Sequence, residues 1–253
     1  MRILAISNQK GGVGKTTTTV NLAASLSRKK KKVLLVDLDP QGNATSGSGI
    51  KKSMTMGSIY EALIGQNTLS NIIVTSKESF FDVAPANQSL AGAEIELVDI
   101  PEREYILKKQ IHSLKKAYDF ILIDCPPALN LLTVNALVAA NSVLIPMQCE
   151  YFALEGLSDL VNTIKKVKNH LNTEIEIEGL LRTLFDKRNT LAQQVSDQLS
   201  AHFGSKVYET IIPRNVRLAE APSYGKPVLF YDKASKGAIA YLALADEILR
   251  KYK

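Results

Sequence analysis

The sequence predicts an α/β protein with a doubly wound, mostly parallel sheet that is flanked by helices. Short apolar runs rich in Val, Ile and Leu recur without polar alternation, as expected of strands buried on both faces. Longer amphipathic segments separate these runs, and such strand–helix alternation is typical of parallel sheets. A glycine-rich segment, GGVGKTT, lies between the first apolar run and the first helical one. It indicates a phosphate-binding loop.

The predicted elements follow from these patterns. Strands are predicted at residues 3–7, 33–38, 120–125, 142–147 and 177–185. Helices are predicted at residues 16–28, 103–116, 131–140, 154–171, 191–203 and 236–251. Residues 42–53 and 186–190 are predicted loops that follow strands. They should therefore lie at the carboxyl edge of the sheet, where open α/β sheets bind ligands.

Length and composition limit the function classes. The 253 residues are 45% hydrophobic and 22% charged, which suits a single domain over residues 1–253. Lys plus Arg number 31 against 25 Asp plus Glu, for a net charge of +6. This modest excess is compatible with a polyanionic partner but does not establish one. The run RKKKK at residues 28–32 closes the first helix, and its position favours a solvated helix end over a binding patch.

The use of cysteine and the lack of a recognisable secretion signal or membrane span predict a cytoplasmic protein. Cys125 and Cys149 are not spaced for a zinc site, an iron–sulfur cluster or a disulfide framework. The N-terminal apolar run is too short for a secretion signal. No run approaches the ~20 apolar residues that a membrane span needs.

The glycine-rich segment predicts a nucleotide site. The full loop begins at Lys10, and it departs from the common pattern G-x-x-x-x-G-K-[ST] only there, where Lys replaces Gly. The glycines let backbone N–H groups surround phosphate oxygens, and the following helix adds its partial positive charge. Lys15 is expected to reach the β- and γ-phosphates, and the Thr16 hydroxyl to bind Mg²⁺. The predicted nucleotide-binding residues are Lys10, Gly11, Gly12, Val13, Gly14, Lys15, Thr16 and Thr17.

Carboxylates at two other strand ends complete the predicted site. Asp124 closes the run FILID and is expected at the magnesium ion, although a strand-end aspartate can also cap a turn. The second strand ends in DLDPQGNAT, which contains Asp37 and Asp39. Asp39 lies just past the strand and is the better candidate to polarise water. Asp37 is the candidate for a structural role.

The motifs together resemble one family. The loop KGGVGKTT, the segment DLDPQGNATSG, the motif IDCPP and the segment IPRNVRLAEAPSYGKP at residues 212–227 are similar to those of ParA-type partitioning ATPases. The similarity spans essentially the whole chain and is greatest to the short, chromosomal Soj type. The loop alone is shared with MinD, nitrogenase iron-protein and arsenic-pump ATPases, so the segment at residues 212–227 discriminates best.

The resemblance assigns roles within an ATP and Mg²⁺ site. In this family the additional lysine, Lys10 here, reaches across a two-fold interface to the nucleotide of the other subunit. ATP would then join two monomers, and ADP would release them. Asp39 would polarise the attacking water, while Thr16 and Asp124 would serve magnesium. Pro213 and Asn215 would frame the adenine.

The resemblance also implies an output for the ATP cycle. Arg188 and Arg217 correspond to arginines that bind DNA in Soj-type proteins, and a solvated basic face is the alternative. Contacts to DNA should be mainly to phosphates, because no helix-turn-helix or aromatic stacking pattern is present. The expected partners are non-specific double-stranded DNA, a ParB-type centromere-binding protein and a second copy of the chain. The protein is expected to associate with the nucleoid and to hydrolyse ATP slowly on its own.

Two other classes remain for comparison. A membrane-associated ATPase of the MinD type would need a C-terminal amphipathic helix in the lipid interface. The tail at residues 241–253 is amphipathic but fits a final domain helix. A redox ATPase of the nitrogenase iron-protein type would need paired cysteines at the two-fold axis, which the positions of Cys125 and Cys149 argue against.

Overall fold

The computed structural model describes residues 1–151 and 153–252, and the strands in this part of the chain form one sheet. They are β1 (Arg2–Ile6), β2 (Val33–Asp37), β3 (Val74–Thr75), β4 (Asp82–Ala84), β5 (Phe120–Asp124), β6 (Ser142–Gln148), β7 (Glu176–Phe185) and β8 (Val207–Pro213). Their order across the sheet is β3-β4-β2-β5-β1-β6-β7-β8. Among the described strands, only the β3–β4 pair is antiparallel. The predicted doubly wound, mostly parallel sheet is confirmed.

Helices cover both faces of the sheet. They are α1 (Lys15–Arg28), α2 (Asn43–Gly47), α3 (Ile59–Leu63), α4 (Leu69–Ile72), α5 (Leu90–Glu96), α6 (Ile106–His112), α7 (Leu131–Ala139), α8 (Ala153–His170), α9 (Thr190–Phe203), α10 (Val216–Glu220), α11 (Val228–Tyr231) and α12 (Lys236–Lys251). Alternate strand residues enter two cores: Leu4 belongs to the core that includes residues of α1 and α12, and Ala5 belongs to the core that includes residues of α3 to α9. This explains the unbroken apolar runs, since both faces of each central strand are buried.

The last helix belongs to the core. Its apolar face, which includes Tyr241, Leu244 and Ile248, is buried against α1 and the neighbouring strands. The Tyr241 and Thr18 hydroxyls are hydrogen-bonded at 3.1 Å within this contact. The amphipathic pattern of the C-terminal segment is therefore accounted for by packing within the chain.

Strand register brings the predicted site residues to one edge. In the parallel β1–β5 and β2–β5 pairs, Asp124 is the partner of Ile6 and of Asp37. The glycine-rich loop follows β1, Asp39 follows β2 and Asp124 ends β5. Because these three strands are adjacent and parallel, the three features lie at the same edge of the sheet. This is the carboxyl edge, as the sequence predicts.

Several local predictions are wrong. The predicted loop at residues 42–53 contains α2, because the Asp37 carboxylate accepts hydrogen bonds from the Thr45 N–H and hydroxyl and so stabilises a helical turn. The helix predicted at residues 103–116 begins as a 3₁₀ turn and ends as α6 at His112. Beyond it, Lys116 bonds Asp82 of β4, which draws the chain away from the helix axis. Strands β3, β4 and β8 were missed.

Candidate nucleotide site

The glycine-rich loop has the backbone that its glycines predict. Gly12 and Gly14 have φ angles of 74° and 85°, which residues with a side chain rarely adopt. The loop is tied to β7, because the Thr183 hydroxyl donates to the Val13 carbonyl at 2.7 Å. A methyl group in place of the hydrogen on Gly11 or Gly12 would meet no atom of residues 1–151 and 153–252 within 4 Å, so the loop faces open space in this part of the chain. Its backbone and the first turn of α1 are thus free to meet an anion.

Lys15 is the first residue of α1 and is only 7% exposed. Its ammonium donates to the Lys10 carbonyl at 3.1 Å, across the glycine-rich loop. Burial lowers the pKa of Lys15, and the nearby Asp124 carboxylate acts in the opposite direction. A buried cation of this kind is stabilised by an anion at the loop.

Asp124 is fully buried and is held by two hydroxyls of α1. Thr16 donates to one carboxylate oxygen at 2.7 Å and Thr19 donates to the other at 2.9 Å. Burial raises the pKa of Asp124 to about 8, with a further contribution from Asp37 and opposition from the two hydroxyls. The structure therefore brings together Thr16 and Asp124, the two predicted magnesium ligands.

Asp37 and Asp39 lie two residues apart in different environments. Asp37 is fully buried, and it accepts from the Thr45 N–H at 2.8 Å, the Thr45 hydroxyl at 2.7 Å and the Asp39 N–H at 3.2 Å. Asp39 is partly exposed, and its carboxylate accepts from the Gln41 N–H at 2.9 Å. Asp37 thus organises the turn, while Asp39 keeps an oxygen available at the carboxyl edge.

Lys10 does not point into its own loop. Its ammonium forms an ion pair of 2.5 Å with Glu150, which follows β6. The Lys10 N–H is held by the Asn8 side chain at 2.9 Å. The side chain is 45% exposed, so it remains accessible to a group outside the subunit.

Pro213 and Asn215 lie at the carboxyl end of β8. The Asn215 amide oxygen is buried and has no hydrogen-bond partner among the residues that the structure describes. Pro213 lines a cavity of about 930 Å³ between β8 and α12, while Thr16 and Thr17 line a different one of about 450 Å³ beside α2. A buried acceptor without a donor is costly, so the Asn215 oxygen is suited to a donor supplied by a ligand.

Arg188 and Arg217 lie on one basic surface, and each is paired. Arg188 is 89% exposed and its guanidinium donates to both oxygens of Asp186, at 3.0 and 2.8 Å. Arg217 contacts Glu220 at 2.8 Å and Asp232 at 3.3 Å. Between them lie Arg214 and Lys236, which line the cavity beside Arg188 as well as the one beside Arg217.

Sequence reasoning missed Thr19, Glu150 and Thr183. Thr19 could have been found, because it lies three residues after Thr16 on the same face of α1. Glu150 follows a predicted strand, but nothing local indicates that it faces Lys10. Thr183 lies in a predicted strand, and its contact with Val13 spans 170 residues.

Comparison with known proteins gives the family. A family model described as an AAA domain matches residues 1–177. The sporulation initiation inhibitor protein Soj of Bacillus subtilis is 55% identical, over 98% of this chain and 98% of its own length. The chromosome partitioning protein ParA of Myxococcus xanthus is 52% identical, over 99% of this chain and 88% of its own length.

Solved structures agree on the fold. Cobyrinic acid a,c-diamide synthase from Mycobacterium smegmatis, with a bound ATP analog and magnesium, has a TM-score of 0.87 and 38% identity over 100% of this chain and 96% of its own. The cell division ATPase MinD from Pyrococcus furiosus has a TM-score of 0.81 and 27% identity over 98% of both chains. Together with the site geometry and the curated relatives, these likenesses show that the chain belongs to the ParA/Soj family of chromosome-partitioning ATPases.

Proposed function

We propose that this protein is a Mg²⁺-dependent ATPase whose ATP-bound sandwich dimer binds DNA non-specifically. A ParB-type centromere-binding partner stimulates hydrolysis and so releases the DNA. One observation carries the proposal: the hydrogen-bonded Thr16–Asp124 pair and the buried Lys15 lie together beside an open glycine-rich loop. The partitioning role is supported by a relative that is 52% identical and is named as a chromosome partitioning protein.

The nucleotide is held at both ends. Backbone N–H groups of the loop and the Lys15 ammonium bind the phosphates. The orphan oxygen of Asn215 accepts a hydrogen bond from the 6-amino group of adenine, and Pro213 packs against the ring. The related structure from M. smegmatis carries an ATP analog, which supports this choice of ligand.

Thr16 and Asp124 fit a magnesium site, since hydroxyl and carboxylate oxygens are the ligands that this ion prefers. The ion would neutralise charge on the β- and γ-phosphates. Asp124 is already oriented by Thr16 and Thr19 at 2.7 and 2.9 Å, so the carboxylate needs little reorganisation.

Asp39 orients and polarises the attacking water. It lies just past β2 and accepts one backbone hydrogen bond from Gln41, which fixes one oxygen and leaves the other for a water molecule. Asp37 cannot serve in this way because its carboxylate is buried and engaged by Thr45 and Asp39.

Lys10 makes the dimer depend on ATP. Each Lys10 contacts the phosphates of the nucleotide that is bound to the other subunit, and the added positive charge stabilises the pair of subunits. Its exposed ammonium, directed out of its own loop toward Glu150, supports this role. ADP lacks the γ-phosphate and holds the two subunits less tightly.

DNA binds the basic surface that contains Arg188, Arg214, Arg217 and Lys236. Phosphate contacts of this kind carry no sequence information, so binding is non-specific. Dimerisation doubles the number of contacts and thereby couples DNA affinity to ATP.

The membrane alternative receives less support. The apolar face of α12 is buried against α1 and the neighbouring strands and is not available for a lipid interface. Among the residues that the structure describes, no helix is both long enough and apolar enough to cross a bilayer.

The test combines light scattering with DNA binding. The protein is measured with ATP, ADP or no nucleotide, with and without unrelated duplexes. The proposal expects dimers and DNA complexes with ATP only. Identical scattering and DNA affinity in all nucleotide states would contradict it, and ATP-dependent sedimentation with vesicles instead of DNA would favour the membrane class.

A further inference from the structure

A basic surface lies at the edge of the sheet opposite the nucleotide site. We name it the basic pole and define it by residues 28–32, which lead into β2, and by Lys115 and Lys116, which precede β5. β2 and β5 are neighbours, and the two turns are joined directly. The Lys32 N–H donates to the Asp119 carboxylate at 2.7 Å, and the Asp119 N–H donates to the Lys32 carbonyl at 2.8 Å. The pole is therefore one continuous surface.

Most of its charge is not neutralised within the chain. Lys29 pairs with Asp246 at 2.7 Å and Lys116 pairs with Asp82 at 2.5 Å. The other cations of the pole have no carboxylate within 4 Å in residues 1–151 and 153–252; they are Arg28, Lys30, Lys31, Lys32 and Lys115. A helix end compensates only about half a unit charge. The dipole of α1 thus accounts for a small part of this cluster.

The backbone of Lys30 is a second, independent observation. The Lys31 N–H bonds the Leu26 carbonyl and the Lys30 N–H bonds the Ser27 carbonyl, which is the Schellman arrangement at the end of α1. Lys30 occupies its left-handed position, with φ of 63°. Glycine is the residue that this position favours, because a Cβ is strained there. The chain thus has an exposed lysine at a position where the backbone conformation favours glycine.

We propose that the basic pole binds the phosphates of a second DNA segment, so that one dimer bridges two duplexes. The inference rests on the proposed sandwich dimer, in which the nucleotide edges face each other and the two poles lie at the outer ends. The basic pole and the nucleotide site lie at opposite ends of strands of about five residues, and are therefore roughly 16 Å apart. Arg188 and Arg217 lie beyond β7 and β8, several strands away, so the two surfaces do not compete for one duplex.

The composition of the pole favours DNA over a membrane. Within the two turns Leu114 packs against the core and Tyr118 is buried, so the exposed large apolar side chain beside the pole is that of Phe80, whose carbonyl accepts from the Ser27 hydroxyl at 2.6 Å. Peripheral membrane binding draws on buried apolar area in addition to charge. Phosphate binding to DNA requires only the cations and the counterions that they release.

The experiment measures bridging separately from binding. One duplex is attached to beads, the protein is added with ATP, and capture of a fluorescent duplex of different sequence is recorded. The test variant is Lys30→Gly with Lys32→Gln. The matched control is Lys165→Gln with Lys166→Gln, which removes the same charge from exposed lysines of α8. Wild type and control should capture the second duplex. The test variant should lose most of this capture. The slope of the logarithm of capture affinity against the logarithm of salt concentration should become shallower by about two units, because two phosphate contacts are lost at ~0.9 each.

Folding and the proposed function are read in parallel. The melting temperature of Lys30→Gly alone should not fall, because glycine suits the left-handed position. Binding of the test variant to a single duplex should stay close to wild type, since Arg188 and Arg217 are intact. Wild-type binding to one duplex without capture of a second would overturn the bridging inference and leave the proposed function standing. Wild type that binds no DNA with ATP would overturn both. Loss of anionic phosphatidylserine vesicle binding by the test variant, with bridging unchanged, would assign the pole to membranes instead.

Discussion

The Lys10 ammonium and the Glu150 carboxylate form an ion pair of 2.5 Å within one subunit, with about half of each side chain exposed. Lys10 is the residue that we propose to contact the nucleotide of the other subunit. It cannot keep its full interaction with Glu150 and also neutralise phosphate across the interface. The pair is therefore a competitor of the dimer contact, although a weak one, because exposed ion pairs contribute about 0–1 kcal/mol.

Replacement of Glu150 should make dimerisation easier. Glu150→Gln removes the competing charge, so dimers should form at ATP concentrations lower by up to about fivefold, the equivalent of ~1 kcal/mol. Sedimentation velocity over an ATP series measures this. Glu155→Gln is the control, since Glu155 is exposed on α8 and no ion pair of it occurs among the described residues. An unchanged ATP requirement for Glu150→Gln would mean that the pair does not restrain Lys10.

The two lysines of the loop should separate binding from dimerisation. Lys15→Ala removes the main cation on the β- and γ-phosphates and should abolish tight ATP binding. Lys10→Ala should leave nucleotide binding by the monomer intact but impair ATP-dependent dimerisation. Isothermal titration and sedimentation measure the two steps. Wild-type dimerisation of Lys10→Ala would remove its role across the interface.

Asp37 and Asp39 should fail in opposite ways. Asp39→Ala should fold, bind ATP and dimerise, yet hydrolyse ATP about 100-fold more slowly, a typical loss for a general-base contribution. Asp37→Ala leaves the Thr45 hydroxyl and the N–H groups of Thr45 and Asp39 without their acceptor, and should lower the free energy of unfolding by about 1–3 kcal/mol. Phosphate-release assays and chemical denaturation distinguish them. Normal turnover by Asp39→Ala would exclude Asp39 as the residue that activates water.

Short-range sequence patterns predicted the centre of the site. The loop Lys10–Thr16 and the strand-end Asp124 are recognisable because a strand, a glycine run and a helix start follow one another locally. The strands at the edges of the sheet were harder to predict. β4 has only three residues, too few for any periodicity, and β8 has Glu209 and Thr210 among its apolar residues because it lies at the sheet edge.

Contacts between distant segments could not be predicted from the same patterns. The Lys10–Glu150 pair joins loops that follow β1 and β6, and it depends on the order of strands in the folded sheet. The buried Asn215 oxygen is visible only once its surroundings are packed. In contrast, the structural role predicted for Asp37 agrees with its three hydrogen bonds, because its position inside an apolar strand already implies burial.

Asn215 should discriminate nucleotides by their 6-amino group. Its unpartnered oxygen accepts from ATP but finds no donor on purine riboside triphosphate, which lacks that amino group. Wild type should therefore prefer ATP by about 5- to 10-fold, the value of one neutral hydrogen bond. Asn215→Ala should bind both nucleotides alike. Competition binding gives the ratio, and an equal preference in wild type and Asn215→Ala would place the adenine elsewhere.

Loss of either exposed arginine should weaken DNA binding in a manner that depends on salt. Arg188→Ala or Arg217→Ala removes roughly two phosphate contacts per dimer and should flatten the logarithmic salt dependence by about two units. Unrelated duplexes should be affected equally, because phosphates carry no sequence information. Lys166→Ala, which removes one exposed charge from α8, is the control. Unchanged affinity and slope in both arginine variants would assign Arg188 and Arg217 to a solvated face.

Removal of the carboxylate that pairs with Arg188 should have the opposite effect. The Arg188 guanidinium lowers the pKa of Asp186 to about 2, so mild acidification leaves the pair charged and should leave DNA affinity unchanged. Asp186→Asn removes the charge permanently and releases Arg188 to bind phosphate. DNA affinity with ATP should rise and the salt dependence should steepen, while in an Arg188→Ala background the same substitution should do far less. If Asp186→Asn strengthened binding equally in both backgrounds, its effect would be general repulsion between Asp186 and DNA and not competition for Arg188.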